Sequence, residues 1–162
     1  MTSMTELKIR PATRADRQVL AGLAERLASF RLPPWRTPES IANADAAAML
    51  EAIESASHDN EVVIAERGGV PVGCLHILVI TDFFGVSHGH VSVLSTTAEA
   101  EGSGVGRALI AFAEQWTVRH GLSLMTLNVF AGNERARRFY DRSGFGVEML
   151  KYAKHITGGS GN

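Results

Sequence analysis

Apolar positions change their spacing along the chain, and each change marks a new element. Leu20, Leu23 and Leu27 recur at three- and four-residue intervals, which predicts a helix with one apolar stripe. Before it, Leu7 to Arg10 reads as a short strand closed by Pro11, and Thr13-Arg14-Ala15-Asp16 has the form of a capping box with an acid at its last position. Leu32-Pro33-Pro34-Trp35 breaks the stripe. Thr37 as N-cap and Pro38 at the first helical position then start an alanine-rich helix predicted to run to about Ser57. From Glu61 the β-branched content rises. Val62 to Ala65 reads as a strand, Gly68-Gly69 as a hairpin turn, Val72 to Ile80 as a second strand, Asp82 to Gly89 as a loop and His90 to Thr96 as a third strand.

A glycine-rich stretch follows, then a helix with Leu109, Phe112, Ala113 and Trp116 on one face. Arg119, His120 and Gly121 suit its C-terminal end. Leu122 to Val129 is apolar at nearly every position, which predicts a strand buried on both faces. Asn133 to Ser143 reads as a short helix turning Ala136, Phe139 and Tyr140 inward. Gly144 ends it with Phe145 packed back on the last turn, and Phe145 to Ile156 is predicted as a final strand. The order β-α-α-β-β-β-α-β-α-β is that of a single mixed α/β domain. It is expected over residues 1–157, with 158–162 as a frayed tail.

Composition agrees with this reading. The chain has 162 residues, 45% of them hydrophobic and 20% charged, which is enough apolar material for one buried core and too much for a disordered chain. A net charge of -1 gives no general attraction to nucleic acid or to an anionic membrane, so neither is an expected partner. No apolar run approaches the ~20 residues of a membrane span, and MTSMTELKIR has no apolar leader core. The single cysteine, Cys74, excludes an internal disulfide and reads as a small core residue; a cytoplasmic location is the simplest expectation.

The chemistry centres on Glu99-Ala100-Glu101-Gly102-Ser103-Gly104-Val105-Gly106-Arg107. Glycines between a strand and a helix let the backbone approach an anion, and the helix N-terminus offers unpaired N–H groups and partial positive charge. A nucleoside-triphosphate loop would need Gly-Lys-Ser/Thr, whereas Gly106 is followed by Arg107 and Ala108. The dinucleotide pattern fails because Arg107 stands where its third glycine belongs. An ordinary turn before a helix remains the competing reading.

Gly104-x-Gly106, the amphipathic helix and apolar strand after it, and Asn133...Ala136...Phe139-Tyr140...Gly144-Phe145 together resemble the GNAT acetyltransferase superfamily over essentially the whole chain. The resemblance implies a mixed, mostly antiparallel central sheet flanked by helices, with strands splayed at the cofactor site. It implies an N-acetyltransferase that moves the acetyl group of acetyl-CoA to a primary amine by direct attack, without a metal. A non-catalytic CoA-binding or sensing module of the same fold is the alternative. By motif position, Gly102, Ser103, Gly104, Val105, Gly106 and Arg107 would hold the pyrophosphate. Leu94, Ser95 and Thr96 would pair with pantetheine, and Asn133, Ala136, Phe139 and Tyr140 would complete the cofactor site. Asn133 is equally natural as a helix N-cap.

Tyr140 matches the residue that protonates the departing thiolate; a phenol with a pKa near 10 is protonated at pH 7. His90 is the candidate base, with Glu99 and a water chain as alternatives, because imidazole suits proton abstraction at pH 7. His88 lies beside it, but no third metal ligand is evident. Arg142 reads first as an exposed helix arginine, with a reach to the cofactor's phosphates as the other reading. Trp35, Phe83 and Phe84 are expected to line the acceptor pocket, to pack internally, or to mark a homodimer surface. The acceptor is a small-molecule or peptide amine. The chain departs from the family pattern at Glu101, where Arg or Gln is usual; a carboxylate close to a pyrophosphate costs about 1 kcal/mol in high dielectric, so weaker cofactor binding is expected there.

Overall fold

The computed structural model describes residues 5–158. Its elements run β1 (Leu7–Pro11), α1 (Arg17–Arg26), α2 (Pro38–Ser55), β2 (Asn60–Arg67), β3 (Val70–Thr81), β4 (Ser87–Thr96), α3 (Val105–Arg119), β5 (Met125–Leu127) and α4 (Glu134–Arg142). The five strands form one sheet in the order β1-β2-β3-β4-β5. The first three pairings are antiparallel and β4–β5 is parallel. Residues 1–4 and 159–162, which include most of the expected tail and the start of MTSMTELKIR, lie outside the described residues.

Local signals place the helices where the pattern puts them. The Thr13 N–H donates to Asp16 Oδ2 at 2.8 Å, closing a short 3-10 turn (Arg14–Asp16) that leads into α1. Asp16 also receives both terminal nitrogens of Arg10 at 2.8 Å, which ties α1 to β1 and lowers its carboxyl to about 2. Thr37 Oγ1 accepts the Ser40 N–H at 3.2 Å, and Pro38 opens α2. That helix stops at Ser55, slightly before the expected Ser57, because Ala56 turns left-handed at φ 47°. Gly68 and Gly69, at φ 58° and 77°, make the β2–β3 turn.

Strand alternation builds a core on each face of the sheet. Leu20, Leu23 and Met49 of α1 and α2 pack on Val62, Ile64, Cys74 and Val93. Leu109, Ala113 and Trp116 of α3 pack on Val63, Ala65, Leu75, Ile77 and Val91 of the other face. Each fully buried Val, Leu, Ile or Met among them stabilises the fold by roughly 1.5–3 kcal/mol before entropy is subtracted. Leu27 and Phe112 extend these stripes as half-buried residues. Cys74 is sealed in the first core, where burial pushes its thiol up to about 12 and makes it inert at neutral pH. Among the described residues, no helix is long and apolar enough to cross a membrane.

Two expectations need correction. Leu122 to Val129 contributes only the three-residue β5, and its residues are half-buried, not enclosed on both faces. The cause is that β4 and β5 diverge: their ladder spans Gly89↔Met125 to Val91↔Leu127, while β3–β4 continues to Gly73↔Thr96. The final strand over Phe145 to Ile156 does not form. Gly144, at φ 90°, lets the Phe145 N–H bond back to the Tyr140 carbonyl at 3.1 Å, and beyond it the chain has no ladder partner among the described residues. Val147, Met149, Leu150 and Tyr152 stay exposed, so the apolar positions that suggested a strand have no neighbour to cover them. Smaller differences are that the Asp82 loop is shorter than expected and that β4 begins at Ser87.

Candidate functional site

The divergence of β4 from β5 opens a cleft. Past Val91, β4 has no neighbour on the β5 side, so the outward backbone groups of Ser92 to Thr96 face it unpaired by a strand. A bulge sits at the same point: His76 pairs Val93 and Ile77 pairs Val91, leaving Ser92 as the extra residue that bends β4 away. Leu94 is half-buried on this segment. Ser95 is buried and its hydroxyl donates to the Leu23 carbonyl at 2.7 Å, so its side chain ties β4 to α1. The Thr96 carbonyl already accepts Arg26 Nε at 2.6 Å.

The glycine loop closes one end of the cleft. Gly102 and Gly104 adopt φ 71° and 86°, and Gly104 is the N-cap of α3. A non-glycine residue held left-handed costs roughly 1–2 kcal/mol. Ala108 is the first residue of α3 whose N–H finds a helical acceptor, the Gly104 carbonyl at 3.0 Å. The N–H groups of Gly104, Val105, Gly106 and Arg107 have no acceptor among the described residues. Ser103 differs, because its N–H bonds to the Ala100 carbonyl. The first turn of α3 has no acidic residue, and Arg107 is exposed there without an acidic partner. Four backbone donors at a helix N-terminus form a nest that suits a phosphate.

α4 is docked on this loop. A Cβ at Gly106 would lie 3.2 Å from Phe139 Cζ, so the small residue and the ring are matched in space. Asn133 Oδ1 accepts the Ala136 N–H at 3.2 Å and caps α4, the N-cap role read from sequence. The Tyr140 ring packs between Phe139 and Phe145, with centroids 5.4 and 5.7 Å away. Burial pushes its phenol up to about 12, so it is protonated at neutral pH; its hydroxyl makes no hydrogen bond among the described residues.

His90 lies on the paired half of β4, opposite Thr126, with Nδ1 2.8 Å from Thr126 Oγ1. Burial first, and then His88, lowers its pKa and keeps the imidazole neutral. His88 is buried, with Nδ1 3.2 Å from the Val86 carbonyl and its ring 6.3 Å from that of His90. Glu99 is exposed in the turn before the loop. Trp35, Phe83 and Phe84 are all exposed; Trp35 stacks on His155, and Phe83 on Phe84 edge to face. None of the three is a core residue. Arg142 is exposed, as read.

Glu101 does not stand unpaired beside the nest. Its Oε1 accepts a hydrogen bond from Arg26 Nη2 at 2.6 Å, and its Oε2 forms an ion pair with Arg135 Nη1 at 2.7 Å. Arg135 foremost, then Arg26, lowers the Glu101 pKa and keeps it ionised. On the other flank, Arg67 Nη2 donates to the Ser103 carbonyl at 2.7 Å. These arginines lacked any local signal, because they come from α1, β2 and α4 and meet the loop only in the folded chain. One further cluster, His58, Asp59 and His120, brings three potential ligand atoms within 4.8 Å at the far end of α3. His120 Nδ1 lies 2.8 Å from the Trp116 carbonyl and Nε2 2.9 Å from the His58 carbonyl, so its ring is held between two backbone acceptors.

This geometry has known counterparts. Residues 23–145 match the model of the acetyltransferase (GNAT) family. The mycothiol acetyltransferase of Propionibacterium freudenreichii subsp. shermanii is 35% identical over 86 residues, which are 53% of this chain and 27% of that protein. An uncharacterised N-acetyltransferase of Bacillus subtilis (strain 168), YhdJ, is 28% identical over 102 residues, 62% of this chain and 66% of its own length. The chain therefore spans about a quarter of the first relative and two thirds of the second. An aminoglycoside N-acetyltransferase solved in complex with CoA shares the fold, with a TM-score of 0.70 at 17% identity over 96% of this chain and 99% of that one. With a family match across most of its length and the same fold throughout, the chain belongs to the acetyltransferase (GNAT) family.

Proposed function

We propose that this protein is an acetyl-CoA-dependent N-acetyltransferase acting on a primary amine. The observation that carries the reading is the row of four backbone N–H groups without acceptors at the start of α3, beside the unpaired edge of β4. Acetyl-CoA supplies the activated acetyl thioester. The N–H groups of Gly104 to Arg107, with the turn residues Gly102 and Ser103, suit its pyrophosphate. Backbone groups at Leu94 to Thr96 suit the amides of the pantetheine arm, although the engaged Thr96 carbonyl leaves fewer acceptors than the family pattern implies. Asn133, Ala136 and Phe139 shape the α4 side. The domain is proposed to cover residues 1–157.

Tyr140 is proposed to donate its proton to the leaving thiolate; its raised pKa keeps that proton in place at neutral pH. His90 is proposed to accept the proton of the attacking amine. In the tautomer whose Nδ1–H donates to Thr126 Oγ1, Nε2 carries the free lone pair, and the lowered pKa keeps it unprotonated. Glu99 and water are the other routes for that proton. The aminoglycoside neighbour supports a small polar amine as acceptor. We further propose that two copies associate. β5 is an open sheet edge, and the segment after α4 exposes Val147, Met149, Leu150, Tyr152 and Ile156. A cytoplasmic location fits the single buried cysteine.

The test is thiol release from acetyl-CoA across a panel of aminoglycosides, amino sugars, polyamines and peptide N-termini. At least one amine should accelerate release, and Tyr140→Phe should lower kcat about 100-fold with unchanged acetyl-CoA affinity. Tight CoA binding without release from any amine would favour a sensing module, and unchanged turnover in Tyr140→Phe would remove that residue from the reaction.

A further inference from the structure

We propose that Glu101 is a positioning residue: it holds Arg135 beside the glycine loop as an additional ligand for the phosphate groups of acetyl-CoA. The inference rests on the cofactor assigned above and names how this chain completes that site.

A carboxylate beside a polyanion site should weaken binding if it faces the ligand. Here both of its oxygens are committed, one to each arginine. The three side chains carry two positive charges and one negative, so the cluster is net positive. Its two ends differ in mobility. Arg26 is fixed twice, by Nε on the Thr96 carbonyl at 2.6 Å and by Nη2 on Glu101 at 2.6 Å, with its side chain 34% exposed. This arginine anchors the carboxylate to the end of β4. Arg135 is 69% exposed, and its ion pair with Glu101, Nη1 to Oε2 at 2.7 Å, is its one charged contact among the described residues. Its Nε and Nη2 have no hydrogen-bond acceptor among the described residues, on a guanidinium that Glu101 restrains.

A restrained guanidinium loses less side-chain entropy on binding than a free one, and its fork geometry matches phosphate oxygens. The location is also right. Glu101 precedes the nest directly, Arg135 lies on the first turn of α4, and α4 contacts the loop through Phe139 and Gly106. Glu101 thus replaces a direct phosphate ligand by an indirect one: the positive charge comes from α4 and the carboxylate sets its position.

The experiment is steady-state kinetics with acetyl-CoA varied, and direct calorimetric binding of CoA, for wild type, Glu101→Gln, Glu101→Asp, Arg135→Gln and the double variant Glu101→Gln/Arg135→Gln. Glu101→Gln should raise the KM for acetyl-CoA and the Kd for CoA about 5- to 10-fold, a loss of 1–1.4 kcal/mol, with kcat within about twofold. Glu101→Asp should recover most of the affinity. Arg135→Gln should match Glu101→Gln, and the double variant should be no weaker than either alone, because both remove one device. A KM that falls or stays unchanged in Glu101→Gln would show that the carboxylate repels the cofactor or is neutral to it, and would overturn the inference. Additive losses in the double variant would overturn it as well. Wild-type protein that fails to bind CoA at all would instead defeat the cofactor assignment itself, so the two failures are distinguishable.

Discussion

His76 is a buried imidazole that the proposed reaction does not use. Nε2 lies 2.6 Å from Asn60 Oδ1, while Nδ1 is buried without a partner among the described residues. Burial, and to a lesser degree His90, lowers its pKa to about 4. The folded protein therefore holds it neutral, while the unfolded chain takes up a proton below about pH 6.5. More protons are bound by the unfolded state between these values, so stability falls as pH drops from about 6.5 to 4, by up to about 1.4 kcal/mol per pH unit. Asp16 acts lower: its stabilisation is present above about pH 4 and is lost as pH falls towards 2. Urea unfolding across this range should show a flatter profile for His76→Gln, and an unchanged slope would contradict this account of His76. The residues legible in advance were those whose role is local. Asn133 caps the helix that follows it, and Tyr140 and Phe145 belong to one helix end. The partners of Glu101 were not legible: Arg26 lies 75 positions away, and nothing in the residues around either one announces the pair. The ion pairs of Glu101, which decide how its charge meets a bound anion, could not be seen from its neighbours in sequence.

At the scale of elements, the site is a consequence of where pairing stops. β3 and β4 stay together to Thr96, β5 leaves β4 after Val91, and the gap is where the unpaired backbone of β4 and the nest of α3 meet. Helices were read well because their signals are carried within them: Thr37 and Pro38 for α2, the stripe through Leu109, Ala113 and Trp116 for α3, Asn133 for α4. β2, β3 and β4 were read to within a few residues for the same reason, since each is a β-branched apolar run bounded by turn residues. β5 and the segment after α4 were misread because an apolar run states only that a strand is favourable. Whether one forms depends on an edge to pair with, and that is set by elements elsewhere. The bulge at Ser92 belongs to the same class, because it is a property of a pair of strands.

At the scale of the whole molecule, α4 buries none of its residues completely and β5 is half-buried, whereas β2, β3 and β4 carry buried residues on both faces. The segment after α4 has no strand partner among the described residues and leaves five large apolar side chains between 68% and 89% exposed. A second copy that lends this segment to the open edge would cover both deficits at once. Light scattering at micromolar concentration should therefore give a dimer, and Val147→Asp with Met149→Asp should give a monomer; a monomeric wild type would contradict this assembly. The central claim is simpler than any of these details. It is that the nest of Gly102 to Arg107 and the free edge of β4 hold acetyl-CoA. Melting temperature with and without millimolar acetyl-CoA, with ATP as the comparison, tests it most directly. The account predicts a rise of several degrees with acetyl-CoA, consistent with mass-action stabilisation of about 2–3 kcal/mol at a hundredfold excess over Kd, and a smaller effect with ATP. No shift with acetyl-CoA, or an equal shift with ATP, would contradict it.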